Sequence, residues 1–277
     1  MLQFFDPPPP LWQAGLFIYG FLVLRYVVLA GGAFLLFCKW LAPKIHSVKL
    51  DPRPLKNEDA WREIRWSMLT LIVFSLNGVF IVAATRAGWT QLSTAPLSEL
   101  SLLSSLIAVL GLLLFHDLYF YVIHRSMHHP LLYQRFHEVH HRSLSPTPWA
   151  AFSFHPLEAV VESGVVTLMV FLFPIHVSEL VAFQVISLLM NIYGHLGYDF
   201  ATREYHESHR ILRWFNTTRS HQHHHRRFNT NYGLYTLLWD RILGTYQTPT
   251  EIRLNREPRH PESGTSIPGT LLDRSLF

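Results

Sequence analysis

The chain of 277 residues is 49% hydrophobic and only 15% charged, where a soluble domain carries about a quarter charged residues, so a water-exposed globule is excluded. A net charge of +4 is too small to point to nucleic acid, and the single cysteine, Cys38, excludes an intramolecular disulfide and any zinc or iron–sulfur site built on thiolates. The composition implies a multi-pass membrane protein. Residues 1–10 end in the prolines Pro7 to Pro10, which predict an extended arm. No Lys or Arg precedes Arg25, unlike a secretory signal. The first apolar run, Leu11 to about Phe37, reaches roughly 40 Å as a helix and spans a bilayer with tilt. Arg25 interrupts it, and the cost of a charge at that depth predicts that it faces the protein interior. A second span is predicted over Ile64–Ala84. A third runs from Leu100 to about Phe115 and continues as helix toward His124. Leu157 to Tyr193 is broken by Phe173-Pro174-Ile175-His176 and predicts a helical hairpin turning near Pro174.

Between the first two spans lie Lys39, Lys44, Lys49, Arg53, Lys56, Arg62 and Arg65, whereas residues 85–99 hold only Arg86. By the positive-inside rule the first loop is cytosolic, and threading onward brings residues 116–155 and 195–225 out on that same face. The fold expected is all-α and integral to the membrane, with about four transmembrane spans including the hairpin. A cytosolic, helical, histidine-rich cap would hold a dinuclear metal site. Three regions are expected: residues 1–99 as N-terminal spans and basic loop, 100–246 as the catalytic domain, and 247–277 as a polar tail.

Of the 18 histidines, 16 fall between His116 and His225. His124 and His128 are four residues apart; His137, His140 and His141 stand at i, i+3 and i+4; His221, His224 and His225 repeat that spacing. On a helix these offsets share one face, so each cluster is expected to aim its imidazoles at one point. His129 and His223 fall off those faces. His195 lies where the hairpin exits toward the third cluster. Eight or nine imidazoles exceed the capacity of one ion, so two metals are expected, and the recurrence of the spacing is what separates this pattern from ordinary surface histidines.

His124-Arg125-Ser126-Met127-His128, His137-Glu138-Val139-His140-His141 and His221-Gln222-His223-His224-His225 resemble the three histidine boxes of the fatty acid hydroxylase superfamily, which includes sterol C-5 desaturases, sterol C-4 methyl oxidases and alkylglycerol monooxygenase. The flanking His116-Asp117-Leu118-Tyr119-Phe120-Tyr121, Pro146-Thr147-Pro148, His155-Pro156-Leu157-Glu158, Asn231-Tyr232-Gly233 and Trp239-Asp240-Arg241 with Gly244-Thr245 extend the resemblance over about residues 100–246. It implies a membrane-bound non-haem di-iron oxygenase with His124, His128, His137, His140, His141, His195, His221, His224 and His225 at the ligand positions. Asp199 stands where some fatty acid 2-hydroxylases carry a further histidine, which leaves Asp199, His206 or His209 to complete or support the set. The catalyst would be the metal pair itself, with no separate acid or base.

A ligating imidazole needs an acceptor for its second N–H. Asp117, Glu138, Glu158, Glu162, Asp199 and Glu204 are the candidates, with Asp117 and Glu158 best placed, and His116 and His155 as further outer groups. For Glu138 the alternative is a solvated helix face, and for Glu158 a favourable charge in the first turn of a helix opened by Pro156. Imidazole suits iron and zinc alike, so iron and the co-substrate O2 follow from the resemblance. No GxGxxG, P-loop or CxxCH motif occurs. Electrons are therefore expected from a cytochrome b5 or ferredoxin type carrier and its reductase, docking near Arg203, Arg210, Arg213, Arg219, Arg226 and Arg227, residues that equally suit anionic headgroups. The substrate expected is a membrane lipid, sterol-like, fatty acyl, carotenoid or ether-linked, hydroxylated or desaturated in the inner membrane of a bacterium or the endoplasmic reticulum of a eukaryote. The competing readings are a histidine-rich metal transporter and a b-type haem protein. The first predicts ionisable residues at mid-bilayer depth in several spans, and the second uses only two to four histidines.

Overall fold

A computed structural model describes residues 8–200 and 203–249. The amino-terminal part of the proline arm and most of the tail expected at 247–277 lie outside the described residues. The described chain is helical, and its β-pairing is confined to isolated bridges: Lys49 with Tyr198, Ser93 with His176, and Phe215 with Thr236. Four helices are long and apolar enough to cross a membrane: Leu11–Trp40, Asn57–Arg86, Leu102–Met127 and Val177–Gly194. This is a multi-pass membrane protein of the all-α class expected from the sequence.

The first span begins as α1 (Leu11–Tyr26) and continues in wider π-type turns through Val27–Gly31 and Phe34–Trp40. Within the widened stretch Gly31 makes room for the Trp149 ring: a Cβ there would stand 2.8 Å from it. Lys39 is therefore on the helix rather than in a loop. Arg25 faces inward as expected, its Nη1 donating to Gln184 Oε1 at 3.1 Å. The second span, α2 (Asn57–Arg86), starts earlier than its apolar run and takes in Arg62 and Arg65, because Glu58 and Asp59 in its first turn suit the helix dipole. It packs along α1, where Ser75 Oγ donates to the Gly15 carbonyl at 2.9 Å.

The third span is α3 (Leu102–Met127), and the hairpin is α6 (Pro156–Leu172) with α7 (Val177–Gly194). Pro156 opens α6 at a position where its missing N–H costs nothing. The turn before α7 is closed by a capping box between His176 and Glu179. Asn77 donates to the Ser163 carbonyl at 3.0 Å and accepts from Thr167 at 2.8 Å, which ties α2 to α6. Inside, Leu22, Tyr26, Leu71, Phe152, Leu188 and Ile192 form one core cluster, and Ile81, Leu112, Met169 and Phe183 belong to another. Outside, Leu16, Leu24, Leu76, Leu102, Ile107 and Leu110 stay exposed, as a surface solvated by lipid requires.

The two ends of this bundle differ in character. At one end residues 87–99 pair with the hairpin turn, through Ser93 N to Ile175 O at 2.8 Å and His176 Nε2 to Ala95 O at 2.9 Å. At the other, the basic segment after α1 meets the histidine-rich segments: Arg226 reaches Asp51 Oδ2 at 2.6 Å and Arg62 reaches the Arg142 carbonyl at 3.3 Å. The short helices α4 (Pro130–Phe136), α5 (Glu138–His141), α8 (Arg203–Ser208), α9 (Thr218–Arg227) and α10 (Leu238–Ile242) are gathered there.

Candidate metal centre

His124 lies in the last turn of α3 and His128 caps that helix. Pro130 restarts the chain as α4 with His129 at its N-cap, where Nδ1 accepts from Leu131 N. His137 joins α4 to α5, which carries His140 and His141. His195 caps α7, and α9 supplies His221, His224 and His225. All nine are buried, none more than 8% exposed.

They form two groups. His124, His128, His137, His141 and His224 make the first, and His140, His195, His221 and His225 the second; within each, one ring nitrogen per residue lies within 4.8 Å of the others. The clusters are thus not aimed one cluster to one point, as their spacing suggested. Each HxxHH triplet is divided: His137 and His141 go one way and His140 the other, His221 and His225 one way and His224 the other. At 3.6 residues per turn, positions four apart differ by about 40° around the helix while adjacent positions differ by about 100°. The i and i+4 members therefore share a target, and the i+3 member serves the neighbouring group. The groups abut, with the rings of His141 and His225 4.6 Å apart.

The nitrogens are placed for a cation. His128, His141 and His224 form a triangle of Nε2 atoms with sides of 3.1, 3.1 and 3.2 Å, and in the second group His195 Nε2 lies 3.0 Å from His221 and 3.3 Å from His140. Metal–imidazole bonds of about 2.0–2.1 Å put ligand nitrogens about 3 Å apart at right angles, so these separations are those of neighbours around one ion. The tautomers agree. Nδ1 of His124 donates to the Tyr232 carbonyl at 2.7 Å, that of His224 to the Thr230 carbonyl at 2.7 Å, and that of His195 to the Asn191 carbonyl at 2.8 Å. A carbonyl only accepts, so these rings carry their proton on Nδ1 and aim a bare Nε2 lone pair into the cluster. His124 Nε2 and His137 Nε2 are buried with no hydrogen-bond partner. Lone pairs converging without a proton between them repel unless a cation lies among them, so the residues fit two metal ions.

Burial and the neighbouring imidazoles hold His128, His137, His140, His141, His221, His224 and His225 well below the ordinary histidine range, and burial pulls His195 down to about 4. Neutral imidazole is the form that ligates. Because these folded values lie below the unfolded one, the unfolded chain takes up protons first as the pH falls. The metal-free protein is thus expected to lose stability from about pH 6.5 downward, and thermal melts of chelated protein at pH 7.5 and 5.5 check this. An unchanged midpoint would show that the imidazoles are not held neutral.

Outside the two groups, His137 Nδ1 lies 2.6 Å from Glu158 Oε1, both fully buried, so Glu158 does orient a box histidine. Glu138 takes the solvated alternative, facing Arg142 at 3.3 Å. Asp117 touches none of the nine; it accepts from Tyr235 N, Thr236 N and Thr236 Oγ1 and so anchors the strand of chain that follows the third box. His116 Nδ1 sits 2.6 Å from Tyr235 Oη, and His155 caps α6 through Leu157 N. Asp199 pairs with Arg219 at 2.5 Å, His206 Nε2 meets the Phe215 carbonyl at 3.1 Å, and His209 accepts from Ile211 N and Leu212 N. The structure brings none of His116, Asp117, His155, Asp199, His206 or His209 into either group, nor His129 or His223. The side chain of Glu204 lies outside the described residues.

The supports that sequence reasoning missed are backbone atoms. The turn after α9 places Phe228 and Asn231 at positive φ, 65° and 55°, which aims the carbonyls of Thr230 and Tyr232 back at His224 and His124. Tyr232, in Asn231-Tyr232-Gly233, thus supports the first box, and Thr230, just before it, the third. Nothing in side-chain spacing announces a carbonyl; the only signal is the turn-forming Asn and Gly.

The sequence profile of the fatty acid hydroxylase family matches residues 109–245. The human lathosterol oxidase is 32% identical over 208 residues, covering 74% of this chain and 67% of that protein. The Delta(7)-sterol 5(6)-desaturase of Aspergillus fumigatus is 33% identical over 213 residues, 76% of this chain and 57% of its own length. The chain belongs to the fatty acid hydroxylase family. Its relatives place it among sterol desaturase-like members, and it is a membrane oxidoreductase that modifies lipids. No solved structure matches the chain. The matched region of this family member contains all nine clustered histidines, from His124 to His225.

Proposed function

We propose that the protein is an O2-dependent di-iron oxidoreductase that desaturates or hydroxylates a sterol-type membrane lipid, with His124, His128, His137, His141 and His224 holding one ion and His140, His195, His221 and His225 the other. The observation that carries this is the pair of buried, all-imidazole groups, in which Nδ1 of His124, His195 and His224 is committed to a carbonyl and that of His137 to Glu158. The relatives named for oxidation of Delta(7)-sterols at the 5(6) position supply the substrate class. Two irons so held would supply activated dioxygen for attack on an unactivated C–H bond. Glu158 fixes the His137 ring, the carbonyls of Tyr232, Thr230 and Asn191 fix three others, and the buried setting keeps bulk water from the reacting centre.

Each double bond formed with O2 reduced to water requires two further electrons and two protons, so an external carrier of the cytochrome b5 or ferredoxin type is needed. Of the arginines expected to receive it, Arg219 and Arg226 are engaged by Asp199 and Asp51. Arg210 and Arg213 are exposed, and they alternate with the exposed Ile211, Leu212, Trp214 and Phe215. Basic residues mixed with aromatic and aliphatic ones suit lipid headgroups better than an acidic protein surface, and the side chain of Arg203 lies outside the described residues.

The test is turnover. Detergent-purified, iron-replete protein with a supplied carrier and reductase should convert a Delta(7)-sterol to a product two mass units lighter or one oxygen heavier. Metal-replete protein that consumes no O2 with sterols or other membrane lipids would overturn the reading. The histidine groups are proposed to face the cytosol, on the positive-inside argument. A cysteine replacing Gln134, exposed on α4, should react with an impermeant maleimide only from the cytosolic side of oriented vesicles, and the buried Cys38 should stay silent. Labelling from the opposite side would reverse the topology.

A further inference from the structure

Glu162 is an acid that neither the fold nor the metal centre uses. It lies on the inward face of α6, one turn deeper into the bundle than Glu158, and is only 9% exposed. Every other buried carboxylate discussed above has a donor: Glu158 has His137, Asp117 has Thr236, Asp199 has Arg219. Glu162 has no hydrogen bond and no ion pair among the described residues. Its polar surroundings are the hydroxyls of Tyr119 and Tyr235, within electrostatic reach, and Glu158. Both hydroxyls are already committed, Tyr119 Oη donating to the Val161 carbonyl at 2.7 Å and Tyr235 Oη lying 2.6 Å from His116 Nδ1.

A carboxyl buried among helices in apolar surroundings costs several kcal/mol unless something hydrogen-bonds to it. Within this chain nothing described does, and the position is informative: residues four apart on a helix are about 6 Å apart along its axis, and Glu158, four residues earlier, touches His137 of the first histidine group. A polar atom resting on Glu162 would therefore lie one helical turn further along α6 than the carboxylate that touches His137.

We propose that Glu162 is the hydrogen-bond partner of a hydroxyl group on the lipid substrate, and that it determines specificity by requiring that hydroxyl and setting which carbon faces the metal centre. This rests on the lipid-oxidase reading above and names the chemistry that selects the substrate. A site built to bond a hydroxyl discriminates strongly against the analogue that lacks it, because the protein group is then left buried and unpaired.

The experiment compares lathosterol with the same sterol lacking its hydroxyl, in detergent-purified wild type, Glu162→Gln and Glu162→Leu, reading equilibrium binding by quenching of tryptophan emission and, separately, metal content. Wild type should bind lathosterol at least about tenfold more tightly than the deoxy sterol, Glu162→Gln should keep most of that preference because an amide still bonds a hydroxyl, and Glu162→Leu should bind the two alike. Metal content should be unchanged in both variants, which also shows that they are folded. Equal binding of the two sterols by wild type, or a preference that survives in Glu162→Leu, would overturn the proposal. Where turnover is measured, Glu162→Leu should raise KM for lathosterol with little change in kcat, whereas a fall in kcat for both sterols alike would show a proton-handling role instead. Failure of the lipid-oxidase reading would appear as a missing metal pair in wild type, a result independent of the binding preference.

Discussion

Detergent-purified protein is expected to carry two metal ions per chain, and His140→Ala and His224→Ala are each expected to lose metal and to lower activity by more than about 100-fold, beyond the 10- to 100-fold cost of removing an outer partner of a metal ligand. The two substitutions strike different groups. His140 is one of the four in the second group and His224 one of the five in the first, so His140→Ala leaves three imidazoles and His224→Ala leaves four. Both residues lie on short helices, α5 and α9, outside the spans, and membrane insertion and expression should hardly change. Elemental analysis beside a turnover assay checks this. Retention of two metals and of turnover in both variants would refute the assignment of the nine histidines, and haem iron in place of the pair would reopen the cytochrome reading. The transporter reading expects ionisable residues at mid-depth in several spans. Arg25, Glu162 and His116 are the groups that could lie at that depth, and the nine clustered histidines gather at one end of the bundle.

The largest expected effect away from the histidines is at Asp240. Fully buried, it accepts from Tyr232 N and Gly233 N at 2.9 Å each and from Thr245 Oγ1 at 2.7 Å. These bonds hold the turn whose Tyr232 carbonyl receives the His124 Nδ1 proton. The turn is also closed sterically, since a Cβ on Gly233 would collide with the Thr236 carbonyl oxygen. Asp240→Ala strands two buried N–H groups at about 1–3 kcal/mol each, partly relieved by relaxation, while the Thr245 hydroxyl keeps Tyr121 Oη at 3.0 Å, for a net loss of about 2–4 kcal/mol. The melting temperature should fall and metal affinity with it, because His124 loses its orienting carbonyl. Asp240→Asn should not rescue, since its amide group would turn a donor toward the Gly233 N–H. A thermal melt of Asp240→Ala that matches wild type would show that the turn is held by other contacts.

Much of this protein is legible in its sequence, and the reasons are local. The spans follow from long apolar runs, because a bilayer accepts little else. The hairpin follows from Pro174 between two such runs. The inward face of Arg25 follows from the cost of exposing a charge to hydrocarbon, and Gln184, its partner, could not be named because α1 and α7 are about 160 residues apart. The two ends of the bundle follow from basic residues placed on one side. The nine histidines follow from a helical spacing that repeats.

What the sequence could not decide is which members of different boxes share a group. Spacing places the members of a triplet near one face, but which imidazole turns toward which neighbour depends on where α3, α5, α7 and α9 stand relative to one another, and that is set by packing. The same holds for the acids. Asp117, Glu138, Glu158 and Asp199 look alike in sequence, and only tertiary contacts make one a partner of His137, one an anchor for residues 235–236, one a surface group and one the mate of Arg219. The carbonyls of Thr230, Tyr232 and Asn191 have no side-chain signature, since every residue carries a carbonyl and only the path of the backbone aims it. Composition and period thus determined the class of the protein and the identity of its chemistry-bearing residues, because solvent and helix geometry act on each segment separately. Pairing, orientation and the unpartnered state of Glu162 were decided only when distant segments met.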